Sequence, residues 1–144
     1  MKRNLVVGTL AALLAVLLVS AWMFLEMRYS EFGVTMRQWS ANGGPTGRFD
    51  DTMGFLGKWI HIHQFILSPI VSILVGMFVG TLCRTRYWLA LVIAVAPIVF
   101  INYPSDALSL MGGVIYILAA WLGVKSAQRI GKHFSKPNQQ TVPA

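Results

Sequence analysis

Apolar residues in this chain fall into four long runs that no charged residue interrupts: Leu5 to Leu25 over 21 residues, Phe65 to Cys83 over 19, Tyr87 to Tyr103 over 17 and Ala107 to Val124 over 18. A charge-free run of about 18 residues is long enough, as a helix, to cross roughly 30 Å of hydrocarbon. The pattern predicts an all-α, polytopic membrane protein with four transmembrane helices at about 5–25, 64–83, 87–103 and 107–124, forming a single membrane domain over 1–144. The third run is the shortest. Tyr87, Trp88 and Tyr103 at its ends supply the amphipathic rings that suit a membrane boundary.

Lys2 and Arg3 ahead of the first run, with Val19-Ser20-Ala21 as a small-residue cleavage site, also fit a secretory signal peptide. The run continues through Trp22, Met23, Phe24 and Leu25 past that site, which favours an uncleaved signal anchor.

The segments between the runs predict the rest of the architecture. Arg84 to Arg86 and about Pro104 to Asp106 are very short connections, so helices two, three and four should be antiparallel neighbours in a tight meander. Pro104 cannot continue a helix, and Ser105 or Asp106 can cap the one that follows. Pro69 and Pro97 lie inside apolar runs, where each removes a backbone hydrogen bond and should bend its helix unless a neighbour satisfies the freed carbonyl. Residues 26–63 form a long outer loop between helices one and two, with a turn at Asn42-Gly43-Gly44-Pro45-Thr46-Gly47. Its flanks, with Phe32, Val34, Met36 and Trp39 before the turn and Met53, Phe55, Leu56, Trp59 and Ile60 after it, should lie along the membrane surface, with Asp50 or Asp51 capping a helix there. Residues 125–144 form a basic, polar tail.

Charge sets the orientation. With four crossings, Lys2, Arg3, Arg84, Arg86, Lys125, Arg129, Lys132 and Lys136 share one side with no acidic residue among them. The other side holds Arg28, Arg37, Arg48 and Lys58 against Glu26, Glu31, Asp50, Asp51 and Asp106. Short basic loops stay in the cytoplasm, so both termini are expected inside and the protein in the cytoplasmic (inner) membrane. Composition agrees, at 56% hydrophobic against 12% charged, where soluble domains carry roughly a quarter charged residues. The net charge of +7 is thus a topology signal, and no nucleic-acid partner is implied. Cys83 is alone, so no disulfide holds the outer loop.

Three patterns carry candidate chemistry. Ser68, Ser72, Gly76 and Gly80 recur every four residues on helix two, a small-residue stripe that permits close backbone approach of another helix, from this chain or from a partner. His61 and His63 at the outer boundary of that helix point about 200° apart if helical, so they make a poor chelate together. Either alone could ligate haem, a chlorophyll-type pigment or copper, with Met23, Met27, Met36 or Met53 as conceivable partners, but no cofactor or metal is required by the pattern. Trp39, Phe55 and Trp59 in the outer loop are candidates for a partner interface.

Absences narrow the function. No ionisable residue lies near a membrane midplane, where transporters and proton relays place one, and no nucleophile elbow, phosphate-cradling glycine loop or cysteine pair is present. The expectation is a protein that is not an enzyme: an integral membrane subunit that packs against and stabilises a larger complex. Its partners would be membrane lipids and other integral membrane subunits, or further copies of itself. The alternative is a cofactor-binding protein using His61 or His63, or a small-solute transporter acting as an oligomer. A lipid-headgroup enzyme would need Asp50, Asp51, His61 and His63 to converge.

Overall fold

The computed structural model describes residues 2–45, 49–83, 85–101 and 107–134, with side chains except at 49–50, 107–111 and 133–134. The expected cap at Ser105 or Asp106, the inner-side Arg84 and the tail beyond residue 134 lie outside the described residues. Among the described residues six α-helices run in the order α1 (Lys2–Tyr29), α2 (Glu31–Ala41), α3 (Phe49–Ile62), α4 (Ser68–Leu82), α5 (Trp88–Ile101) and α6 (Ala107–Phe134), and a π-helical turn (His63–Leu67) fuses α3 to α4. Among the described residues there is no strand. Two helical stretches, Lys2–Tyr29 and Asp51–Leu82, are long and apolar enough to cross a membrane, and Trp88–Ile101 is a shorter apolar helix.

Small side chains set which helices touch. Along α1 the buried strip is Val7, Gly8, Ala11, Ala15 and Val19, and it meets Ala90, Leu91 and Ala94 on α5, also buried. A Cβ placed on Gly8 would stand 3.0 Å from the Ala90 Cα. On α4, Ser68, Ser72, Gly76 and Gly80 are all buried, and α4 packs most extensively on α6. A Cβ on Gly76 would strike the Ala120 carbonyl, one on Gly80 would stand 2.8 Å from the Val124 Cα, and one on Gly123 would strike the Ile73 carbonyl. The stripe of four small residues therefore receives α6, with Gly123 making the approach mutual.

This pairing differs from the expected meander of neighbouring helices. Contacts run around the bundle in the order α1, α4, α6, α5, and the two most extensive, α4 on α6 and α1 on α5, join helices that run parallel. The connection at 83–87 sets direction, but backbone approach sets affinity. α5 offers α4 no glycine, whereas α6 offers Gly123 and Ala120.

The expected outer loop is also different. Among its described residues only Ser30 and residues 42–45 lie outside helices: Glu31–Ala41 is α2, and α3 continues through the π turn into α4. Nothing from Trp59 to Gln64 breaks a helix, so the segment extends the rod and does not lie across its end. Asp50 and Asp51 fall inside α3, whose first residue is Phe49, so neither precedes it as a cap. α6 likewise continues ten residues beyond Val124, to Phe134, so the first half of the expected tail is helical.

The α1 termini are clasped at both ends. The Arg3 guanidinium donates to the Leu82 carbonyl at the end of α4, and Asn4 Nδ2 donates to the Arg86 carbonyl at 2.6 Å. Arg86 has φ 53°, a left-handed conformation that these contacts stabilise. At the other end Ser30 caps α2, its hydroxyl accepting from the Gly33 N–H at 3.2 Å. Arg37 reaches back to the Met27 and Arg28 carbonyls that end α1. Gly33 is required there, because a Cβ would strike the Met27 carbonyl.

Candidate functional site

The π turn is the origin of the local chemistry. Pro69 has no N–H, and its ring would crowd the carbonyl four residues earlier in a regular helix. One extra residue relieves this: the Ser68 N–H bonds to the His63 carbonyl, five residues back. The carbonyl that then faces Pro69 is that of Gln64, and the Tyr116 hydroxyl on α6 donates to it at 3.0 Å. Ser72 donates to the Ser68 carbonyl at 2.7 Å, so the buried hydroxyls of the stripe are also engaged. The expectation that a neighbouring helix serves the carbonyl freed by Pro69 is thus met by Tyr116.

The same turn swings His63 inward. Its side chain is buried, and His63 Nε2 lies 2.6 Å from Glu26 Oε2 on α1. Trp22 Nε1 donates to that carboxylate oxygen at 3.0 Å. A carboxylate taking two donors is satisfied, and the pair ties the far end of α1 to the α3–α4 rod. His61 points elsewhere: it is exposed, with its ring 5.1 Å from that of Phe65. The two histidines share no face, and any ligand at His63 Nε2 would have to displace Glu26. Among the described residues no three of His, Cys, Asp and Glu converge as a metal site. Asp51 is exposed on α3 and is not brought to His63.

Above His63 stands a column of aromatic rings. The Trp59 ring lies 4.3 Å from His63, Phe32 stacks on Trp59 at 4.3 Å and 7°, Phe55 lies 5.6 Å from Phe32, and Trp39 meets Phe55 edge-on at 5.8 Å. Trp39, Phe55 and Trp59 are therefore half-buried against one another and against Phe32, joining α2 to α3. The Trp59 indole N–H is enclosed with no protein acceptor. Sequence reasoning missed Phe32 as the ring between the others and Glu26 as the partner of His63. Glu26 and His63 do occupy matching depths, at the end of one apolar run and the start of the next, and that was the available signal.

The outward face of α3 is unlike the column. Met53 and Ile60 are exposed, and a Cβ on Gly54 or Gly57 would meet nothing within 4 Å. Met53, Gly57 and Ile60 fall on one helical stripe, so this face is an apolar surface with a shallow notch.

Comparison with family models, with curated proteins and with solved structures finds no match for this chain.

Proposed function

We propose that this chain is a non-catalytic integral membrane subunit, crossing the cytoplasmic membrane with α1, α4, α5 and α6, both termini in the cytoplasm, and docking on a larger membrane complex. The supporting observation is where the apolar side chains point. On α1 only the narrow Val7 to Val19 strip is buried, while Leu13, Leu17 and Phe24 are 57%, 66% and 62% exposed. Each such side chain left in water forgoes roughly 1 to 2 kcal/mol, so a soluble protein would bury it, whereas lipid accepts it without loss. Charge supports the orientation: Lys2, Arg3, Arg86, Lys125, Arg129 and Lys132 gather at one end of the bundle with no acidic residue described among them, whereas Glu26, Glu31 and Asp51 balance Arg28, Arg37 and Lys58 at the other.

The docking role rests on the notched face of α3. A Cβ on Gly54 or Gly57 would meet nothing within 4 Å among the described residues, and small residues let a second helix approach closely.

Two experiments test these readings. In a Cys83→Ala background, Ser40→Cys should react with a membrane-impermeant maleimide on intact cells, and Ser126→Cys only after permeabilisation. Equal labelling of both from outside would overturn the topology. Gly57→Trp should release proteins that co-purify in mild detergent without changing the labelling pattern; unchanged recovery would remove α3 as the docking face.

A further inference from the structure

We propose that the cleft between the basic ends of α4 and α6 binds one anionic phospholipid, its phosphate at the mouth and an acyl chain along the floor. At Gly80 the two helices are in backbone contact, 2.8 Å from a built Cβ to the Val124 Cα. Beyond it they part: α4 ends at Leu82 while α6 runs on to Phe134. The step leaves a cleft of about 510 Å³, lined by Met77 and Thr81 from α4 and by Gln128, Ile130, Gly131 and Lys132 from α6. Small-molecule sites commonly have roughly this volume.

Its lining is divided as a lipid would need. Met77 and Ile130 form an apolar floor, continuous with the exposed apolar surface of α4 at Ile73 and Leu74. Lys132 is the charged residue of the lining and supplies a cationic donor. Gly131 faces open space, since a Cβ there would meet nothing within 4 Å. Every charged residue described at this end is basic, whereas Glu26, Glu31 and Asp51 lie at the other. Lys125 is held aside, with its ammonium 5.6 Å from the centre of the Trp121 ring and 5.9 Å from that of Tyr87, which leaves Lys132 as the cation of the cleft among the described residues. A free phosphate would use the mouth and ignore the floor, and a neutral lipid would use the floor and ignore the charge. An anionic phospholipid of the cytoplasmic leaflet uses both.

The inference rests on the membrane reading above, and its test can fail separately. The purified full chain in a neutral detergent is melted with phosphatidylglycerol, with phosphatidylcholine of the same acyl chains, or with glycerol 3-phosphate. Phosphatidylglycerol near saturation should raise the melting temperature by about 5 °C, while the other two leave it unchanged. Gly131→Leu, whose Cβ would enter open space, and Lys132→Gln, which removes the cation, should each abolish that rise while keeping the lipid-free melting temperature. An equal rise with phosphatidylcholine, a rise with glycerol 3-phosphate, or a full rise in both variants would overturn the site. Labelling of Ser40→Cys and Ser126→Cys from opposite sides would still hold in any of those cases.

Discussion

At the scale of single residues, Pro69 and Tyr116 are two halves of one arrangement. The proline withholds a donor, the π turn leaves the Gln64 carbonyl facing it, and the Tyr116 hydroxyl donates from α6. Tyr116→Phe should therefore cost about 1 to 2 kcal/mol of stability in detergent, since its hydroxyl bonds the Ser68 side chain as well as the Gln64 carbonyl. The diagnostic is coupling. Pro69→Ala restores an N–H to the chain, so in that background Tyr116→Phe should cost much less, and a double-mutant cycle on melting in detergent should give a coupling of more than about 0.5 kcal/mol. Additive costs would mean that the two residues act independently. The sequence reveals that Pro69 frees a carbonyl and that Tyr116 is a rare polar group within an apolar run. It does not reveal which carbonyl, because the π turn moves the vacancy from Phe65 to Gln64.

At the scale of elements, α2 is held by rings and caps, with little help from its own pattern. Phe32 lies between Trp59 and Phe55 and is the only ring of α2 stacked on both. Phe32→Ala should release α2 while the bundle stays folded: a loss of roughly 2 kcal/mol for a half-buried aromatic predicts about thirtyfold faster amide exchange across residues 31–41. Unchanged exchange would place the holding energy in Ser30, Gly33 and Arg37. The apolar runs made α1, α4, α5 and the first part of α6 legible, as did the turn around Gly43 and Gly44. In the sequence only a helix after Asp50 or Asp51 is expected between the first two apolar runs. Phe32 and Trp39 are seven residues apart and Phe55 and Trp59 four apart, helical spacings, but these stretches are too short and polar to stand out as helices by pattern alone. Their order comes from ring stacking between segments about 25 residues apart, which a linear pattern does not record. The Glu26–His63 pair was hidden similarly, by a separation of 37 residues. The stripe on α4 was plain from its spacing, but α6 as its partner depends on Gly123, which became meaningful only once its neighbours were known.

For the whole molecule, the contact of Gly76 with Ala120 holds the bundle in its order. Gly76→Leu would drive a branched side chain into the Ala120 carbonyl, and the helices would have to separate along their length. The expected loss is on the order of 3 kcal/mol, seen as an early melting transition in detergent, whereas Gly57→Leu on the open face of α3 should be nearly silent. Comparable losses from both would mean that the α4–α6 approach is not special.

The parallel pairing of α4 with α6 and of α1 with α5 also has a consequence for biosynthesis. A chain is made from its N-terminus at about 5 to 20 residues per second, so the partner of α4 appears roughly 40 residues after it, and the partner of α1 roughly 80 residues after it. For seconds at a time each helix stands beside the ribosome's exit with its glycine groove open. α5 arrives beside α4 first, yet it has no matching glycine, so it does not seal the groove before α6 comes. A nascent chain of this design completes its bundle late, when its last helix closes against α4.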